Sequence, residues 1–94
     1  MIAVIAKLNV VLGKEAEFER AMLNLASQVR KHEDGNELYT LCKDEDGNYI
    51  MMELYRSAED VEAHGKTEHL KASQASFKGL MAGAPDIKKY EVVG

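Results

Sequence analysis

The stretch Tyr49-Ile50-Met51-Met52-Glu53-Leu54-Tyr55-Arg56 constrains this chain more than any other. Its Tyr, Ile and Leu suit an extended strand, whose side chains alternate between the two faces of a sheet. One face then carries Tyr49, Met51, Glu53 and Tyr55, and the other Ile50, Met52, Leu54 and Arg56. Neither face is cleanly polar, so each needs something to pack against. A chain of 94 residues has material for one domain, residues 1–94, with one modest core. A single layer of helices covers only one face of a sheet. The apolar side chains of the other face would form a patch that a soluble monomer seldom leaves in water. A second copy laid sheet to sheet buries it, so a homodimer through the sheet face is expected.

The rest of the chain supplies the helical layer. Ile2 to Leu12 is rich in Val, Ile and Leu and reads as a strand buried on both faces, ended by Gly13. From Lys14 the period changes. Phe18, Met22, Leu25 and Val29 recur at helical spacing, with Ala21 and Ala26 on the same side. Glu15, Glu17 and Glu19 lie near the start of this helix and Arg30, Lys31 and His32 near its end, as the helix dipole favours. Asp34-Gly35-Asn36 stops it. Glu37–Lys43 and Tyr49–Arg56 flank the polar loop Asp44–Asn48 and read as a hairpin. Ser57 with Asp60 opens a short helix to His64, a second helix runs from Glu68 to Met81, and Gly83-Ala84-Pro85 ends it. Asp86–Val93 is a last strand. The order β-α-β-β-α-α-β predicts an α+β, ferredoxin-like split βαβ fold, with a four-stranded antiparallel sheet and its helices on one face.

Charge and composition exclude several roles. The net charge of −4 and the lack of a dense Lys/Arg cluster argue against nucleic-acid binding. No apolar run approaches the ~20 residues of a membrane span, and the start MIAVIAKLNV is not a signal peptide. Cys42 is the only cysteine, so no intrachain disulfide forms and a reducing compartment fits. The expectation is a cytoplasmic protein, complete in itself, with no membrane partner.

The stretch EAHGKTEHLK places His64 and His69 five residues apart. On one continuous helix their side chains would diverge by about 140°. A break restores freedom: Gly65 suits the residue after a helix end, and Thr67 can cap the next helix. Two histidines with no nearby cysteine leave a metal site short of ligands, and no spacing singles out Glu62 or Glu68, so no metal is expected. In the plain reading, His64 satisfies helix-end carbonyls and His69 lies at the surface. In the functional reading, His64 projects into a pocket as acid, base or hydrogen-bonding group. Glu53 and Tyr55 share one strand face and are its natural company, the carboxylate orienting the imidazole and the phenol donating to a developing oxyanion. For Met51 and Tyr55, core packing is the plain alternative.

The block MELYRS, AEDVEAHGKTEHLKA and MAGAP resembles the antibiotic biosynthesis monooxygenase family, above all its small quinol monooxygenase-type members. The family's strand end Glu-x-Trp or Glu-x-Tyr is matched by Glu53-Leu54-Tyr55. Its Ala-His helix end is matched by Ala63-His64, and its following His segment by Thr67-Glu68-His69. The opening VIAKLNVVLGKEAEFERA is similar to the family's first strand and helix. The resemblance implies a dimeric α+β barrel with one pocket per subunit. It also implies oxygenation of quinols or aromatic polyketides by dioxygen, with no flavin, haem or metal cofactor. It casts His64 as base or hydrogen-bond partner, Tyr55 as donor or wall, and Glu53 as orienter. Met51, His69, Phe77 and Met81 become substrate-binding candidates, His69 at the rim. Tyr55 stands where several members carry Trp, and Leu8, Tyr55 and Gln74 replace the residues of the haem-degrading branch, which disfavours haem. The run HGKTEHLK also looks like the isomerase of a phosphorylated quorum-sensing dione, in which Lys66 would grip phosphate. A non-catalytic small-molecule binding module is the third reading, since fold does not fix function.

Overall fold

The computed structural model describes residues 1–94. In chain order they form β1 (Ile2–Leu8), α1 (Glu15–His32), β2 (Asn36–Lys43), β3 (Tyr49–Tyr55), α2 (Ala58–Gly65), α3 (Glu68–Phe77) and β4 (Asp86–Glu91). All strand pairs are antiparallel, in the order β2-β3-β1-β4. This is the expected ferredoxin-like arrangement, with the two central strands β1 and β3 contributed by different βαβ halves. No helix is long and apolar enough to cross a membrane.

The inner face of the sheet meets the apolar stripe of α1. Phe18, Met22, Leu25, Ala26 and Val29 are all buried, and they pack on Ala6, Tyr39, Tyr49 and Met51. Burial of each large side chain stabilises the fold by about 1.5–3 kcal/mol. Register decides which strand residues join them. Met51 pairs with Ala6 and Leu41, and Glu53 pairs with Val4 and Tyr39, so a carboxylate lies in the same inward row as the core. On the outer face Met52, opposite Ile5 and Thr40, stays 38% exposed. Leu38 and Tyr90 on the same face are also exposed.

Three boundaries differ from the sequence reading by two residues or more. β1 ends at Leu8 rather than Leu12, and only its inward Val4 and Ala6 are buried. The chain beyond it leaves the sheet: the Val11 N–H bonds to the Leu80 carbonyl, the Ala82 N–H to the Asn9 carbonyl, and Val10 bridges Met81. α3 correspondingly stops at Phe77 rather than Met81. Gly79, at φ 79°, takes the left-handed conformation that ends a helix cheaply only at glycine. Residues 80–82 can then run extended beside residues 9–11. β4 ends at Glu91 rather than Val93, and every residue in it is exposed.

The joint between α2 and α3 is built by Thr67 rather than Gly65. Gly65 is the last residue of α2 and has no positive φ, so it is not the left-handed cap expected of it. The Thr67 hydroxyl donates to the His64 carbonyl at 3.0 Å and accepts from the Leu70 N–H at 3.3 Å. One side chain thus closes the first helix and opens the second. At the other end of α2, Ser57 Oγ accepts from the Asp60 N–H at 3.2 Å and donates to its carboxylate at 2.7 Å. That carboxylate lies so close to Gly35 that a Cβ there would sit 2.1 Å from Asp60 Cγ. The turn after α1 and the start of α2 are therefore packed backbone to side chain, which brings the ends of α1 and α2 together.

Candidate functional site

The ends of three helices converge on one carboxylate. Glu33 is the C-terminal cap of α1, His64 lies in the last turn of α2 and His69 in the first turn of α3. His64 Nδ1 lies 2.9 and 3.0 Å from the two Glu33 oxygens, and His69 Nε2 lies 2.5 Å from Oε2. The expectation that the two histidines point apart is therefore corrected. The break between the helices was expected, but with His69 at the surface beyond it; the turn at Thr67 instead swings His69 back beside His64. The expected partner of His64 is corrected too. Glu33, not Glu53, holds its imidazole, because the end of α1 reaches the joint first.

A neutral imidazole that donates from Nδ1 keeps its lone pair on Nε2. His64 lines the main cavity, so the nitrogen left free to meet a ligand is an acceptor. Its ring lies between two tyrosines, at centroid distances of 5.4 Å to Tyr39 and 5.6 Å to Tyr55. Tyr55 is 1% exposed and donates its hydroxyl to Glu53 Oε1 at 2.6 Å. Burial raises the Glu53 pKa above the ordinary carboxylate value, offset in part by the Tyr55 hydrogen bond and by His64. Burial, then the Glu53 and Glu33 charges, raise both tyrosine hydroxyls as well. Both phenols therefore stay protonated at neutral pH, and Tyr55 donates to Glu53.

The cavity measures about 680 Å³, within the usual range for a small-molecule site. Fourteen of its 21 lining residues are hydrophobic, so an occupant must be largely apolar. Of the residues named from the sequence, Met51, Glu53, Tyr55, His64, Phe77 and Met81 all border it. His69 does not. It faces a second, polar depression with His32, on which its ring stacks at 5.9 Å. Lys66 is 73% exposed and pairs with Glu62 at 3.0 Å, away from the cavity, so it cannot grip a ligand there. The lysines that do border the cavity are Lys78 and Lys89.

Two site residues escaped the sequence reading. Tyr39 was indistinguishable from any inward strand aromatic. Glu33 carried one signal: an acid at the negative end of a helix is unfavourable unless something compensates it. The same residue supplies the third ligand that a metal reading lacked, since Glu33, His64 and His69 offer ligand atoms within 4.8 Å of one another.

The raised Glu53 pKa predicts a pH-dependent stability. A carboxyl whose pKa is raised on folding contributes fully below its unfolded value and loses that contribution as pH rises through the folded value. The Glu53→Gln variant, which still offers Tyr55 an amide oxygen, should be more stable than wild type at neutral pH. The gap should close on acidification below the ordinary value of 4.5. Thermal melts from pH 4 to 8 check it, and a gap that widens on acidification contradicts the assignment.

Comparison with known proteins places this geometry. The family model described as antibiotic biosynthesis monooxygenase matches residues 1–76. No curated protein sequence matches the chain. Among solved structures, a candidate antibiotic biosynthesis monooxygenase from Caulobacter crescentus is 39% identical over 99% of this chain and 90% of its own, with a TM-score of 0.93. A candidate from Nitrosomonas europaea shares the fold at 23% identity, full coverage of both chains and a TM-score of 0.89. One from Deinococcus radiodurans does so at 20% identity, covering 100% of this chain and 94% of its own, with a TM-score of 0.87. With the family model spanning most of the chain and a relative of matching architecture at 39% identity, this protein belongs to the antibiotic biosynthesis monooxygenase family.

Proposed function

We propose that the chain is a monooxygenase of electron-rich aromatic small molecules, quinols or aromatic polyketides, with His64 as its base. Family membership supports the general monooxygenase role. The observation that carries the finer reading is a largely apolar cavity with an imidazole on its wall, held by a carboxylate so that Nε2 is free to accept a proton. Such a couple is the usual device for an imidazole base.

An anthrone-type substrate reacts in sequence. His64 Nε2 removes a ring C–H proton, and the delocalised carbanion passes one electron to dioxygen. The radical pair joins through a new C–O bond, and the peroxide anion takes the proton back from the imidazolium. Removal of the second proton from that carbon then breaks the O–O bond, leaving a carbonyl and one water. The protein deprotonates, positions and excludes bulk water. The protonated form of Glu53, held by the hydrogen bond it accepts from Tyr55, is the group that can donate to the substrate's oxygen, and Tyr55 acts as wall and positioning donor. Met51, Phe77 and Met81 form apolar walls, and His69 acts through Glu33 rather than on the substrate.

Oxygen uptake with a panel of quinols and anthrones tests this reading. One or more should be consumed with one carbonyl formed per dioxygen. Turnover of a phosphorylated hydroxydione with no oxygen uptake would replace it with the isomerase, and binding without turnover would leave a carrier module.

The homodimer through the sheet face belongs to the same proposal, supported by exposed Leu38, Met52 and Tyr90 on the helix-free side. Light scattering should give twice the chain mass of 10.5 kDa. Met52→Asp should shift it toward the monomer, because a buried unpaired charge is costly. A wild-type monomer at micromolar concentration would refute the dimer.

A further inference from the structure

The Glu33–His64–His69 cluster has a second capability, independent of oxygenation. Glu33 forms no ion pair with lysine or arginine; its only side-chain partners are the two histidines. Side-chain exposures of 10% for Glu33 and 13% for each histidine limit competition from water. Two imidazole nitrogens and a carboxylate oxygen, from three separate helix ends, point at one another within 4.8 Å. We propose that these three residues form a site for one divalent transition-metal ion of the zinc type.

The donor set favours that class. Two imidazoles and one carboxylate suit zinc, cobalt, nickel or copper, whereas magnesium and calcium prefer oxygen ligands throughout. Zinc bonds of about 2.0–2.1 Å in tetrahedral array set ligand atoms roughly 3.3–3.4 Å apart. Here the carboxylate lies 2.5–3.0 Å from the nitrogens, at hydrogen-bond range. Retreat of the Glu33 carboxylate by roughly 0.5–1 Å brings it to coordination distance, and the two imidazole nitrogens, within 4.8 Å of each other, adjust toward the same spacing. That movement is within the reach of a terminal carboxylate on its own side-chain torsions. Each imidazole gives up the N–H it now donates, its proton passing to the other ring nitrogen, and the ion takes both lone pairs. Three protein ligands leave a fourth position for water.

Access comes from the polar depression between α1 and α3, about 540 Å³, which His69 borders with Gln28, His32 and Glu68. An ion can reach His69 from that side without crossing the apolar cavity. Where the base reading of His64 holds, the two states exclude each other, because an ion on Nδ1 puts the proton on Nε2. The site itself does not depend on that reading.

The test is direct binding to the untagged, metal-stripped chain. Calorimetry with Zn²⁺ should give one ion per chain, and Co²⁺ should develop the visible absorption of a four-coordinate ion. Excess Mg²⁺ should compete with neither. Glu33→Gln and His69→Ala should each weaken binding by at least about 100-fold, beyond the 10–100-fold typical of outer-shell losses. Cys42→Ser should leave affinity unchanged. Circular dichroism checks that the variants are folded. Absence of stoichiometric binding to wild type overturns the proposal, whatever the variants do. So does binding that survives both ligand substitutions, or that disappears in Cys42→Ser.

Discussion

His64→Ala is expected to reduce oxygen uptake about 10²–10⁴-fold with every substrate the wild type oxidises, the usual contribution of a positioned base. Removal of the imidazole leaves Tyr39, Tyr55 and Glu53 in place, so the cavity keeps its walls and binding should suffer far less than turnover. The signature is a fall in kcat with KM little changed. Glu33→Gln separates positioning from chemistry. Its amide oxygen can still accept from His64 Nδ1–H, now 2.9 Å from the carboxylate, but the charge that favours an imidazolium is gone. We expect a smaller loss than in His64→Ala, again in kcat. Wild-type rates in His64→Ala, with the fold intact by circular dichroism, would remove His64 from the mechanism.

The second large effect is on stability. Phe18 is fully buried, with its ring 4.9 Å from Tyr49 and 5.8 Å from Phe77, so it joins α1 to both β3 and α3. Phe18→Ala removes those contacts and leaves a void, at a cost of about 3–5 kcal/mol for a buried phenylalanine. Phe18 also borders the cavity, where solvent can partly fill the space, so we expect about 3 kcal/mol. Against a total of about 5–15 kcal/mol for a small domain, that is a large fraction. Urea unfolding of both wild type and variant at one fixed protein concentration measures it, since association makes apparent stability concentration-dependent. A loss below about 1 kcal/mol would mean that the core is not centred on this ring.

Much of the architecture was legible because it rests on local periodicity. The Phe18–Met22–Leu25–Val29 stripe is buried as its spacing requires, and the two-faced strand lies at the centre of the sheet. Ser57 and Thr67 cap their helices because their hydroxyls need only neighbours three residues away. Boundaries failed where the decisive partner was remote. The stretch 9–11 looks like continued strand until residues 80–82 are seen beside it.

The candidate site divides along the same line. Glu53 and Tyr55 could be placed together from sequence because strand alternation puts them in one row, while His64 entered as one of two readings, helix-end packing being the other. The partnership of His64 with Glu33 could not be read there. Glu33 lies 31 residues from His64 and 36 from His69, and no spacing rule joins them. From the sequence alone came the element order, the Ser57 and Thr67 caps and the core stripe, all consequences of short-range geometry. Only the tertiary structure decided that the two histidines share one carboxylate and that Glu53 bonds Tyr55, because those contacts depend on where three helix ends and two strands meet in space.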